Sequence, residues 1–163
     1  MDNLPELLSG ASEEYRPVAI NAREDVAVLP YSSGTTGLPK DIMLTHYNIA
    51  CNVEQVLATG QLTPDAVSLC VLPFFHIYGM AVLLSMGIAL GVTGIVMMRF
   101  DVEQALHLMD KYHITTLYLA PAAILAMANV PDPSRFDTSS LRVLVPGAAS
   151  LPIACDPSAI RAD

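Results

Sequence analysis

From residue 71 to residue 98 the chain carries no Asp, Glu, Lys or Arg. A stretch this long without charge has two natural homes: the interior of a bilayer, or a parallel sheet buried on both faces. Pro73, His76 and the glycines at 79, 87, 91 and 94 interrupt it and argue against one continuous spanning helix. The pattern instead predicts a turn, a buried helix over 77–90 and a strand over 93–98. Gly87 and Gly91 have the spacing of paired membrane helices, but close packing of a helix on a sheet explains that spacing equally well. A small membrane protein built on 71–98 is kept as the lesser alternative.

Local signals on either side fit a sheet. Val26 to Pro30 is an apolar run that reads as a buried strand, extending to Tyr31, and Ile42, Met43 and Leu44 form a second short extended run. Thr45 suits the N-cap of a helix over 46–58, stopped by Gly60. A strand over 67–72 is closed by Pro73. Asp101 and Gln104 make a capping-box-like start to a helix over 102–112, with Ala105, Leu106, Leu108 and Met109 on its inner side. A strand is expected at 115–119, a helix opened by Pro121 at 121–128, a turn-rich loop at 130–137 and a last strand at 141–145. Strands alternate with helices from Val67 onward, which predicts an α/β fold of βαβ units. In such sheets ligands bind beyond the carboxyl ends of strands. Three segments follow strands, at 31–40, 73–79 and 146–151, and are expected to meet at one cleft.

Of the 163 residues, 53% are hydrophobic and 15% charged, enough for one domain with a real core and too apolar for disorder. The net charge of −8 leaves no electrostatic footprint for nucleic acid. Cys51, Cys70 and Cys155 are widely spaced and form no Cys-x-x-Cys pair, so neither a disulfide framework nor a zinc site is implied; no metal ligand is assigned. A reducing compartment, by default the cytoplasm, follows. The acidic start of the chain lacks the apolar core of a secretory signal.

Between the first two extended runs lies Tyr31-Ser32-Ser33-Gly34-Thr35-Thr36-Gly37-Leu38-Pro39-Lys40. The glycines let backbone N–H groups turn toward a ligand, the hydroxyls add donors, and Lys40, one of two lysines in the chain, adds a point charge. Phosphate oxygens need such converging donors. Only two residues separate Gly34 from Gly37, and Leu38-Pro39 intervene before Lys40, so this is not a Walker A loop. By composition alone, a polar hairpin loop would look the same.

The ordered string resembles the phosphate-binding signature of the acyl-adenylate-forming enzymes, among them the 4-coumarate–CoA ligases, fatty acyl-CoA synthetases and luciferases. Two later stretches resemble motifs of the same superfamily. In Pro73-Phe74-Phe75-His76-Ile77-Tyr78-Gly79, the resemblance implies that His76 orients the acyl carboxylate and that Tyr78 and Gly79 border the acyl pocket. A histidine among apolar residues, taken alone, reads as a hydrogen-bonded core residue. Leu141 to Leu151 resembles the strand and turn that line the adenine, which implies that Gly147, Ala148 and Ala149 let a flat ring approach the backbone. A plain tight turn is the alternative there.

The implied fold is therefore part of a doubly wound sheet, a fragment of the large N-terminal domain of an AMP-forming ligase resembling the 4-coumarate–CoA ligase group. Its implied divisions are a lead-in segment at 1–25, a partial AMP-binding domain at 26–151 and a divergent tail at 152–163. The implied reaction joins a small-molecule carboxylate to ATP, giving an acyl adenylate and pyrophosphate, and then passes the acyl group to coenzyme A. Magnesium is expected in the longer parent, which the resemblance allows to be cytoplasmic or peroxisomal. Ser32, Ser33, Gly34, Thr35, Thr36, Gly37 and Lys40 would hold the β- and γ-phosphates, with His76 and Lys40 in the catalytic roles. No nucleic-acid or membrane partner is expected, and no protein partner is assigned. Two departures stand out: Asp41 replaces the glycine that follows the family's lysine, and Ser150 replaces a proline. A carboxylate beside Lys40 opposes phosphate, so Asp41→Gly is expected to tighten ATP binding. The family's magnesium-binding glutamate, ribose-binding aspartate and mobile C-terminal domain have no counterpart here. Little ligase activity is expected of this chain alone, and a non-catalytic nucleotide-binding remnant or interaction module is the alternative.

Overall fold

The computed structural model describes residues 17–32, 40–60 and 62–149. Its centre is a four-stranded parallel sheet of β5 (Val67–Cys70), β6 (Thr93–Val96), β7 (Thr116–Leu119) and β8 (Val143–Pro146), in the order β6-β5-β7-β8. From β5 the chain steps to β6 on one side and then crosses to β7 on the other, so the order reverses between β5 and β7. Every residue of β7 is buried. Leu69, Leu117 and Leu119 join one apolar cluster with Ala105, Met109 and Ile124. Cys70 and Tyr118, pointing the other way, join a second cluster with Val53, Leu83 and Met86. Covering on both faces is what a parallel sheet requires, and it makes the fold the expected doubly wound α/β type.

Ahead of the sheet lies an antiparallel ribbon. β1 (Val26–Val28) pairs with β4 (Leu44–Thr45), and β2 (Tyr31–Ser32) pairs with β3 (Lys40–Asp41). The single buried strand expected at 26–31 is thus two short strands, broken at Leu29-Pro30 because proline has no N–H to give a ladder. The break is bridged from the other side, where the Ile42 N–H donates to the Pro30 carbonyl at 3.1 Å. Of the run expected at 42–44 only Leu44 lies in a strand; Ile42 and Met43 fall in the gap between β3 and β4. Nor is the ribbon buried: Val26, Leu29 and Tyr31 are all exposed, each strand having one partner among the described residues.

Helix α1 (His46–Leu57) starts as expected at Thr45. The Thr45 hydroxyl accepts the Asn48 N–H at 3.2 Å while Asn48 Oδ1 accepts the Thr45 N–H at 3.0 Å, a reciprocal cap. After β5 comes a π-helix (Gly79–Ser85) that runs into α2 (Met86–Leu90). The helix expected at 77–90 is therefore present but not regular, and it is buried on one face only. Met86 is inside, whereas Ile88 is 74% exposed. The Gly-x-x-x-Gly pair does not serve close packing. A Cβ on Gly87 would meet nothing within 4 Å, and Gly91 takes φ +71° to end the helix. No helix among the described residues is long and apolar enough to cross a membrane.

Helix α3 (Val102–Tyr112) is capped by Asp101, whose carboxylate accepts the Gln104 N–H at 2.8 Å. Helix α4 (Pro121–Ala128) opens on its proline. The strands expected at 67–72, 93–98, 115–119 and 141–145 differ from β5 to β8 only at their ends. The ladder stops two residues short of the apolar pattern in β5 and β6, whereas β8 starts two residues late and runs on to Pro146. The tail expected at 152–163 and most of the lead-in expected at 1–25 lie outside the described residues.

Candidate functional site

Two of the three segments expected to share a cleft do meet. Past the end of β5, residues 73–79 fold back on themselves: the His76 N–H donates to the Pro73 carbonyl at 3.0 Å, and the Met80 N–H to the His76 carbonyl at 2.9 Å. The fold-back is so tight that a Cβ on Gly79 would lie 2.2 Å from the Pro73 carbonyl oxygen. Only glycine fits where backbone presses on backbone.

This turn aims Tyr78 across the sheet at the end of β8. Its phenol donates to the Val145 carbonyl at 3.4 Å, and a Cβ on Gly147 would lie 2.3 Å from the ring carbon Cζ. The Tyr78 ring thus rests on the bare backbone of Gly147, which is held in turn by its N–H to the Leu119 carbonyl at 3.0 Å. Ala148, next along, adopts φ +69°, a left-handed conformation that costs an alanine about 1–2 kcal/mol. Ala148 and Ala149 are both exposed beside the contact. Stored backbone strain of this kind collects at functional sites.

His76 is exposed, not a core residue. Its Nδ1 accepts the Tyr78 N–H at 3.2 Å, so the neutral ring carries its proton on Nε2. That turns the Nε2–H, rather than a bare nitrogen, toward whatever meets the ring from outside the turn. Burial, and secondarily the neighbouring Tyr118, push the Tyr78 phenol up from its usual pKa, and burial does the same to Tyr118. Burial likewise raises the Cys70 thiol and makes it a poor nucleophile.

Lys40 is exposed on the ribbon, directly opposite Ser32. Ser33, Gly34, Thr35, Thr36 and Gly37 lie outside the described residues; what flanks them is the β2–β3 pair. Successive side chains of a strand point to opposite faces, so Asp41, opposite Tyr31, turns away from the face of Lys40. Among the described residues no group of three or more His, Cys, Asp or Glu is placed to hold a metal ion.

Two cavities flank the region. One, of about 400 Å³, lies between α1 and the π-helix and is lined by Asn48, Cys51, Asn52, Gln55, Ile77 and Met80 among others. The other, of about 530 Å³, opens at the carboxyl ends of β5 and β7, where the strand order reverses, and is walled by Leu72, Phe100, Leu119 and the alanines of α4. Sequence reasoning had no means to find Tyr118. Its hydroxyl and that of Ser68 are buried with no hydrogen-bond partner among the described residues, and an alternating strand pattern does not mark such a group.

Residues 2–158 match a family model described as AMP-binding enzyme. Among curated proteins the chain is similar to 4-coumarate–CoA ligase 1 of Petroselinum crispum, 39% identical over 148 residues, covering 88% of this chain and 27% of that protein. It is 38% identical over 149 residues to the 4-coumarate–CoA ligase of Pinus taeda, covering 89% of this chain and 28% of the relative. Among solved structures it is similar to a long-chain-fatty-acid–CoA ligase from Archaeoglobus fulgidus (TM-score 0.82, 31% identity, 93% of this chain and 31% of that one). It also resembles ATP-bound MatB from Rhodopseudomonas palustris (TM-score 0.77, 29% identity, 90% and 28%). The chain spans little more than a quarter of the length of these curated relatives.

Proposed function

This chain belongs to the AMP-binding enzyme family, and from that membership we propose that it supplies part of the adenylate-forming site of an ATP-dependent acid–thiol ligase. In the proposed reaction a carboxylate oxygen attacks the α-phosphorus of ATP, and pyrophosphate leaves. The thiol of coenzyme A then attacks the acyl carbonyl and AMP leaves. The observation that carries the assignment is the seating of Tyr78 on Gly147. It brings the turn bearing His76 against the turn bearing Ala148 and Ala149, at the carboxyl ends of β5 and β8, two parallel strands with β7 between them.

Each group then has a task. His76 presents its Nε2 proton to the carboxylate and holds it for in-line attack. Tyr78 and Gly79 form one wall of the acyl pocket, and Gly147, Ala148 and Ala149 give the adenine a surface without side chains. Ser32, Ser33, Gly34, Thr35, Thr36, Gly37 and Lys40 hold the β- and γ-phosphates as pyrophosphate departs. Positioning and electrostatic stabilisation do most of the work in such chemistry. Both need a complete cleft, so the chain alone is expected to bind better than it turns over.

Titration calorimetry with ATP tests this. Hydrogen bonds to charged groups contribute about 1.5–3 kcal/mol, so Lys40→Met is expected to weaken ATP binding roughly ten- to a hundredfold. Unchanged affinity, or no ATP binding by the parent chain, would refute the assignment. Pyrophosphate exchange with a panel of carboxylates separates an enzyme from a remnant that only binds.

A further inference from the structure

The π-helix joins the turn that carries His76 and Tyr78 to the core, and one side chain spans its widened step. In an α-helix a serine hydroxyl reaches back to the carbonyl three or four residues before it. Ser85 reaches five back: its half-buried hydroxyl donates to the Met80 carbonyl at 2.9 Å. The next backbone group keeps the same step, with the Met86 N–H donating to the Ala81 carbonyl. That step defines a π-helix, a rare element retained mainly at functional sites.

The two ends show what the extra width decides. At one end Leu83 and Met86 are buried in the cluster with Val53, Cys70 and Tyr118. At the other, Gly79 presses on the Pro73 carbonyl and Tyr78 rests on Gly147. A π turn holds one residue more than the α turn it replaces, and one residue of an α-helix is about 100° of rotation and about 1.5 Å of rise. With Leu83 and Met86 held in the core, a return to α-helical spacing would swing Tyr78 through an angle of that order, off Gly147.

We propose that Ser85 is a positioning residue. By holding the helix open at the Met80 carbonyl, it sets the angle at which Tyr78 meets Gly147, and through that contact it supports the surface offered to the adenine at 147–149. Ser85 itself touches neither nucleotide nor acid. The inference rests on the reading of Gly147, Ala148 and Ala149 as the adenine surface, with the phosphates left to residues 32–40. Alanine at 85 removes the hydroxyl and adds no bulk, whereas threonine keeps a hydroxyl on the same carbon.

The test compares Ser85→Ala and Ser85→Thr in the 163-residue chain, with Thr45→Ala as a control that gives up a hydrogen bond elsewhere. The first readout is NMR. The Gly147 α-proton that stands where a Cβ would be faces the Tyr78 ring, so ring current displaces its resonance, and Tyr78→Leu identifies that displacement. Ser85→Ala is expected to lose it, and Ser85→Thr and Thr45→Ala to keep it. The second readout is calorimetry with ATP and with tripolyphosphate, which has no adenine. Ser85→Ala should bind ATP roughly five- to tenfold more weakly than the parent and tripolyphosphate equally well, and Ser85→Thr should restore the affinity for ATP. A displacement that survives in Ser85→Ala overturns the proposal. So does equal weakening of both ligands, which would mean general loosening, and so does a Ser85→Thr chain that behaves like Ser85→Ala. A parent chain that binds ATP no more tightly than tripolyphosphate overturns the adenine reading beneath; the Gly147 resonance tells that failure from a failure of the Ser85 contact.

Discussion

A methyl group added at Gly147 tests the central contact directly. Its Cβ would sit 2.3 Å from the Tyr78 ring, so the ring must swing and give up its bond to Val145. Overpacking of this kind costs about 1–3 kcal/mol, which urea unfolding of Gly147→Ala should show. In a Tyr78→Leu background the same substitution should cost far less, because the two side chains no longer compete for one space. Additive losses would mean that Gly147 is needed for its backbone alone. Asp41 calls for a smaller number than its place beside Lys40 suggests. A like charge at about 4 Å in a medium of dielectric about 20 costs on the order of 4 kcal/mol. The strand, however, turns Asp41 toward the face of Tyr31 and Lys40 toward that of Ser32. Solvent screens what is left, since both residues are exposed. Asp41→Gly should therefore tighten ATP binding only about twofold, against the loss of about tenfold or more for Lys40→Met. A gain as large as that loss would mean that the carboxylate faces the phosphates after all.

At the scale of elements, what was legible from sequence tracks how local its cause is. Helices α3 and α4 lie where Asp101 and Pro121 announce them, because a cap and a first-turn proline act within one turn of chain. Thr45 belongs with them. It is half of a reciprocal pair with Asn48, so Thr45→Ala should cost about 1 kcal/mol, at the upper end if the Asn48 amide is left idle, and a denaturant midpoint unmoved from the parent would show the cap to be dispensable. The π-helix was not legible. It follows from Gly79 pressing on the Pro73 carbonyl and from the Ser85 hydroxyl donating to the Met80 carbonyl at 2.9 Å, contacts that apolar spacing does not encode. The candidate site divides the same way. Its motif residues could be named in order along the chain, but the seating of Tyr78 on Gly147 depends on strand order, which sets β8 beside β7.

For the whole molecule the question is which of two surface forces wins. Strand β6 ends the described sheet with one ladder edge unpaired, and Val96 on it is 56% exposed. Phe75, Ile88 and Met98, 88%, 74% and 97% exposed, add large apolar side chains to the surface. An open edge with apolar neighbours is a template for pairing with another copy. Against this stands a net charge of −8, which keeps copies apart at long range. Salt separates the two. At an ionic strength of about 0.01 M charges repel over roughly 30 Å, whereas at about 0.15 M the range shrinks to about 8 Å, less than the spacing of stacked sheets. Apolar contact is not weakened by salt in the same way. The chain is therefore expected to sediment as a monomer in dilute salt and to associate as salt is raised, with Val96→Lys holding it monomeric by charging the edge. Sedimentation velocity at several protein concentrations decides the matter. A monomer at every salt concentration would mean that the edge is already covered within the chain, and association that Val96→Lys leaves intact would shift the contact to Phe75, Ile88 and Met98.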